Sequence, residues 1–316
     1  MEQPRVGLVR GEDRRGNIFN AMDRVREDIA AKVRSEVMLK PNFLSGTNQL
    51  ASSHPDAIRG AIDFLCCLPQ PPRRILIAEG GNEDHSGQAF DSFGYQDLLG
   101  EFDIPIELLD LNQETTWETI EIFLKDRSTY TVNMPKTVLD HPCTISLAIA
   151  KTHNVCCVTL AVKNMIMGTI RRQDRGKMHG YPGDGEWDAS HEARALNINL
   201  IRLARYLTPD IGVVDGTVGL QGNGPDGTNA IDFGVAAASA HPFSVDAVIA
   251  KTMGFEPMSL GLLSYAHDLE MGICDLDCIE VLGEHIGDVT VRFKPHETTD
   301  LQLQWQDPEA DTYLRA

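Results

Sequence analysis

The feature that most restricts this chain is an alternation that runs nearly its whole length. Short apolar runs of strand character are each followed by a polar cluster and then by a segment of helical period. Strands are expected at residues 5–10, 36–40, 74–78, 106–111, 144–150, 211–215 and 234–240. Between them, Ile18, Met22, Val25, Ile29 and Val33 recur with helical spacing over 17–34. Further helices are expected at 55–68, where Pro55 suits a first helical position, and at 86–93, 95–102, 158–167, 189–207 and 243–253. Residues 117–130 read as one or two more strands, with late ones at 279–282 and 289–293. Such alternation predicts an α/β fold, a mainly parallel open sheet with helices on both faces. No linker rich in Pro, Gly or Ser divides the chain. The expectation is one α/β domain over 1–316, with about 112–140 as an insertion or small lateral subdomain and 256–316 as a C-terminal extension.

Charge and cysteine content narrow the function classes. A net charge of −18 disfavours binding to nucleic acid or to an anionic membrane. No apolar run approaches the roughly 18 residues of a spanning helix. The start, Met1 to Arg5, has no apolar signal region, so a cytoplasmic protein is expected. Of seven cysteines, Cys66–Cys67 and Cys156–Cys157 are adjacent pairs, which bridge only with strain. Cys274 and Cys278 lack a second pair at zinc or iron–sulfur spacing, so reduced thiols and no iron–sulfur cluster are expected. The charge is uneven, however. From Lys151 to His179, six cations face one acid, a local net of +5 on a chain whose remainder carries −23. That island reads as a focused site for a small anionic molecule, or as a solvated face.

Polar motifs collect where strands end. Lys40-Pro41-Asn42, Glu79-Gly80-Gly81-Asn82, Lys151-Thr152-His153-Asn154, Asp215-Gly216 and His241-Pro242 each follow an expected strand. In an open parallel sheet the carboxyl ends of the strands line the ligand crevice, so the five motifs are expected to converge. Lys163 and Asn164 sit in the apolar run TLAVKNMIMG, where the lysine either serves the site or reaches to water. After Asp215 comes a stretch with Gly216, Gly219, Gly222, Gly224 and Gly227, the composition of a backbone nest for anions. It is neither a Walker motif nor a dinucleotide fingerprint. No G-x-S-x-G elbow supports a serine hydrolase. His54, His153 and His241 are the candidate ligands if a divalent metal is bound, with His179, Asp215 and Asp246 as further donors, although no tight ligand spacing appears.

On these residues the chain resembles the family of domain of unknown function 362. The matching pieces are Lys40-Pro-Asn, Ser53-His-Pro, Ala78-Glu-Gly-Gly, Phe93-Gly-Tyr, Lys151-Thr-His and Ala161-Val-Lys-Asn-Met-Ile-Met-Gly with His179 beyond it. Asp215-Gly-Thr-Val-Gly-Leu-Gln-Gly-Asn-Gly-Pro-Asp-Gly and His241-Pro-Phe-Ser-Val-Asp246 complete the pattern, over about residues 36–255. Some relatives carry a ferredoxin-like cysteine segment that this chain lacks. The resemblance strengthens the site without naming a reaction.

The resulting expectation is an enzyme for a small carboxylate or phosphate. Lys40, Lys151 and Lys163, with Asn42, Asn164, Gly222 and Gly224, would hold the anion. Arg171, Arg172 or Arg175 would close over it on a lid at 169–185. His153 or His179 would move a proton, and Asp215 or Asp246 would orient a group or a metal. The alternative is a non-catalytic sensor or carrier of an anionic cofactor or metal, which needs the same lysines and no proton shuttle.

Overall fold

The computed structural model describes residues 3–82, 86–181 and 188–314. Its strands are β1 (Arg5–Arg10), β2 (Glu36–Lys40), β3 (Arg74–Glu79), β4 (Ile106–Asp110), β5 (Trp117–Phe123), β6 (Thr129–Pro135), β7 (Thr144–Thr152), β8 (Val158–Thr159), β9 (Ile211–Leu220), β10 (Ala230–Ser239) and β11 (Glu280–Gly283). The helices that cover them include α1 (Arg14–Arg24), α2 (Arg26–Lys32), α3 (Pro55–Cys66), α4 (Ser86–Ser92), α5 (Lys136–Leu139), α6 (Ala161–Thr169), α7 (Ala189–Leu207), α8 (Pro242–Thr252), α9 (Gly261–Asp268) and α10 (Ile286–Val289).

The main sheet runs in the order β11-β1-β10-β9-β7-β2-β3-β4, with β8 added beside β7. Five pairings are parallel, namely β1–β11, β2–β3, β2–β7, β3–β4 and β7–β9. Alternation along each strand explains why it needs helices on both sides. Val37 and Leu39 of β2 enter one apolar cluster, with Ile145 and Leu147 of β7. Met38 enters the other, with Ala148 and Ala150. Side chains α1 to α4 contribute fill the first cluster, while α6 to α9 fill the second. Strands buried on both faces are typical of parallel sheets between helical layers.

Several boundaries differ from the sequence expectation. The helix expected at 17–34 is two helices, broken at Val25, where φ −121° and ψ 33° leave the helical region. The chain expected to be helical from 158 first pairs with β7 as β8, and α6 starts only at Ala161. Residues 289–293 form no strand; α10 ends there instead. The one or two strands expected at 117–130 are present as two, β5 and β6, which extend to Pro135 and pair with each other as a separate antiparallel sheet.

The largest difference lies after Asp215. The strand does not stop there but continues to Leu220, pairing antiparallel with β10. Gly216 and Gly219, read as loop residues, lie under the rings of Phe233 and Phe293, and those two rings meet edge to face at 5.0 Å. Glycine inside a strand marks such a close approach as readily as it marks a loop.

Candidate functional site

Strand order locates a crevice. From β2 the chain crosses through α3, on the face packed by α1 to α4. From β7 it goes into α6, on the opposite face. Because the crossovers diverge between neighbouring strands, the ends of β2 and β7 stand apart at a topological switch point, the usual place for a ligand in such sheets. Lys40 is the last residue of β2, Glu79 the last of β3, and Lys151 and Thr152 the last two of β7. After β7 a tight turn, closed by His153 N–H donating to Cys157 O at 2.8 Å, sends the chain back as β8. Thr159 of β8 therefore pairs with Lys151, and Lys163 follows one helical turn later on α6. This turn brings together four polar side chains that the sequence spreads over 13 positions.

A buried polar chain crosses the switch point. Lys151 Nζ donates to Asn42 Oδ1 at 2.7 Å and to Ala51 O at 3.0 Å. Asn42 Nδ2 donates to Asn164 Oδ1 at 2.9 Å, an oxygen that also accepts from Lys40 Nζ at 2.8 Å. Lys40 in turn pairs with Glu79. Gly168 of α6 passes directly over that pair, and a Cβ there would overlap Lys40 Nζ. Arg175 closes the far side, donating to the carbonyls of Gly80 and Ile170.

Four buried basic side chains, Lys40, Lys151, Lys163 and Arg175, thus gather around Glu79, with Lys40 and Glu79 at 0% and 1% exposure. Burial lowers the Lys40 ammonium to about 8 despite its partner Glu79, and burial raises the Glu79 carboxyl against the pull of Lys40. Lys151 is pushed well below 10.5 by burial and then by the neighbouring Lys163. Burial lowers Lys163 as well. Arg175 falls to about 10 for the same reason and keeps its charge at neutral pH. Every one of these shifts has desolvation as its main cause, which marks ionisable groups held out of water.

Between these groups lies a cavity of about 270 Å³. Asn42, Lys151, Thr159, Lys163, Asn164 and Arg175 line it, along with His153, His179 and Pro225. Most of the lining groups are bonded to protein. Lys163 Nζ makes no hydrogen bond or ion pair to any described residue, although the residue is only 6% exposed. The Thr159 hydroxyl is buried and likewise has no partner. A buried hydroxyl without a partner is rare, while the Lys163 side chain opens on the cavity, and together they mark a place for a ligand or solvent.

The two histidines differ in what they can do. His153 Nδ1 accepts from Val155 N–H at 3.0 Å. Burial, with Lys163, His179 and Lys151 nearby, drives its pKa well below 6.5, so the ring is neutral. A neutral ring that accepts at Nδ1 carries its proton on Nε2 and is a hydrogen-bond donor there, not a base. His179 instead has Nδ1 3.5 Å from Glu192 Oε1, a carboxylate on α7 that can orient the ring and leave Nε2 to act.

The remaining expected site residues lie elsewhere. Asp246 accepts from Ala161 N–H at 2.8 Å and Val162 N–H at 3.0 Å, so it caps the start of α6 and does not line the cavity. Burial raises its pKa to about 7. Asp215, in mid-strand beside Ile149, pairs with Arg14 Nε at 2.7 Å. His54 is the N-cap of α3, its Nδ1 accepting from Asp56 N–H at 3.1 Å. His241 precedes α8 after β10; because β10 is antiparallel, its end pairs with Gly212 at the start of β9, away from the other strand ends. Gly222 N–H donates to Lys294 O and Gly224 N–H to Gly222 O, so both amides are engaged within the protein. Arg171 and Arg172 line a separate hollow with Asn112, Glu114 and Trp117.

Among the described residues no group of three or more His, Cys, Asp or Glu is placed to hold a metal, so His54, His153 and His241 do not assemble one. The expected lid at 169–185 is described only to Tyr181. There Arg172–His179 form 3-10 turns, and Asp174 ties them down by accepting from Asn133 N–H, Asn133 Nδ2 and Tyr130 OH at 2.8–3.0 Å. Residues 182–187 lie outside the described residues. Thr159 and Glu192 are the contributors the sequence did not single out. Neither sits in a recognisable motif, and only the β8 turn and the packing of α7 bring them in.

A family model for the domain of unknown function 362 (DUF362) matches residues 37–251. The thylakoid-associated protein sll1697 of Synechocystis sp. is 25% identical over 241 residues. That alignment covers 72% of this chain and 66% of the relative, just under two thirds of its length. No described helix is long and apolar enough to cross a membrane.

Proposed function

The chain belongs to the DUF362 family, and from that premise we propose that its switch-point cavity binds a small carboxylate or phosphate and acts on it as an enzyme. One observation carries the reading: Lys163 and Thr159, both buried, line the cavity with no partner among the described residues, beside the further basic side chains of Lys151 and Arg175. An anion would satisfy both groups and offset the local charge. In this reading Lys151 and Arg175 hold the negative charge and the His153 Nε2–H donates to a ligand oxygen. His179, oriented by Glu192, accepts and returns a proton. Asp215 and Asp246 support the scaffold. Seven unpaired thiols fit a reducing, cytoplasmic compartment.

A second reading, a binding or carrier protein without turnover, is favoured by one feature. With His153 fixed as a donor, His179 is the one histidine among the described cavity residues left to move a proton.

Isothermal titration with phosphate and with oxalate tests the binding claim common to both. Millimolar or tighter binding is expected, weakened about tenfold or more in Lys151→Met through loss of a charge-assisted contact. Absence of binding by either anion removes both readings. His179→Gln separates them, since turnover should vanish while binding stays.

A further inference from the structure

The three buried lysines are not equivalent. Lys40 Nζ bonds to Asn164 and Pro41 and pairs with Glu79; Lys151 Nζ bonds to Asn42 and Ala51. Each has oxygen acceptors arranged around it, as an ammonium requires. Lys163 has none among the described residues, yet it lines the cavity. Asp246 shares a small apolar hollow with Lys163, but both its oxygens accept from α6 amides, and no ion pair joins it to a described residue. On the cavity side the neighbour is Lys151, a second basic group that offers no counter-charge. Desolvation and the lack of a counter-ion among the described residues favour an unprotonated, nucleophilic lysine.

The geometry points to Lys163 as an imine-forming lysine whose ligand is a small anion that also bears an aldehyde or ketone carbonyl, as a 2-oxo acid does; this rests on the anion-binding reading of the cavity. The Lys163 Nζ lone pair adds to the carbonyl carbon, opening the C=O π bond. One amine proton moves to the oxygen, through His179, to give the carbinolamine. The C–O bond then breaks, the second amine proton leaves on that oxygen, and the products are a C=N bond and one water. No oxidant or reductant is needed and no net proton is released. Thr159, on the same wall and without a partner, is placed to hydrogen-bond the carbinolamine oxygen. Lys151 and Arg175 hold the carboxylate.

Incubation of the full chain with pyruvate or glyoxylate and cyanoborohydride, followed by intact-mass and peptide mapping, tests this directly. One reduced adduct per chain is expected, located at Lys163, suppressed by excess phosphate and lost in Lys163→Arg. Mapping on the unmutated protein makes the result independent of how that variant folds. Adducts only on exposed lysines such as Lys125 and Lys294, insensitive to phosphate, would overturn the imine. If calorimetry then still shows phosphate binding, the anion reading survives alone; if phosphate does not bind either, both fall.

Discussion

The ammonium of Lys151, at the end of β7, donates to the Asn42 side chain just beyond β2 at 2.7 Å. That bond spans the gap between the two strands whose crossovers diverge. It also begins the buried chain Lys151–Asn42–Asn164–Lys40–Glu79, which no single element contains. Asn42→Ala leaves Lys151 and Asn164 each short of a partner in a dry setting. The expected cost is about 1–3 kcal/mol in urea unfolding. An unchanged midpoint would show that this chain does not hold the strands together.

Acid should destabilise the protein through His153. In the unfolded chain a histidine takes up its proton near pH 6.5, whereas the buried ring stays neutral to much lower pH. Below about 6.5 the unfolded state binds more protons, so stability falls as the pH drops. His153→Asn, whose side-chain oxygen can still accept from Val155 N–H, should flatten this fall. Asp246 acts in the opposite sense. Its folded pKa is about 7 against 3.8 unfolded, so the folded state binds more protons between those values and stability declines as pH rises toward 7. Asp246→Asn should therefore steepen the acid loss. Denaturation midpoints at pH 5, 6 and 7 read both signs, and parallel profiles for all three proteins would refute the assignments.

Asp215 is expected to support the fold, not the ligand. Losing its bond to Arg14 in Asp215→Asn should cost about 1–3 kcal/mol. Phosphate affinity should stay within about twofold, since the pair lies outside the cavity and distant sites act independently. A large loss of affinity with intact stability would return Asp215 to the site.

Two glycines beside the same cavity should behave differently. Gly168→Ala forces a methyl into the Lys40–Glu79 pair and is expected to cost about 1–3 kcal/mol. Gly176→Ala meets nothing within 4 Å and should change stability by no more than about 0.5 kcal/mol. Thermal unfolding of the two variants checks the contrast, and equal costs would contradict it.

Much of this arrangement is legible from the residues alone. Strand ends at Lys40, Glu79 and Lys151 follow from apolar runs that stop at charged residues, and the rule for parallel sheets then brings them together. Lys163 and Asn164 stand out as polar residues in an apolar run, although the run alone does not separate a site lysine from one that reaches to water. What misled was glycine and histidine after later strands. Gly216 and Gly219 mark rings packed on a strand, and an antiparallel β10 sends His241 away from the crevice. Composition carries no sign of strand direction. Nor does anything local announce the turn at 153–157 that sets Thr159 beside Lys151, because that placement depends on pairing between two strands and not on either alone.

The most direct measurement is a crystal structure with selenate, an anomalously scattering oxyanion of the expected class. The account predicts one strong anomalous peak in the cavity, its oxygens about 3 Å from Lys163 Nζ and Thr159 Oγ1. A cavity without that peak, or selenate seated only at Arg171 and Arg172, would contradict it.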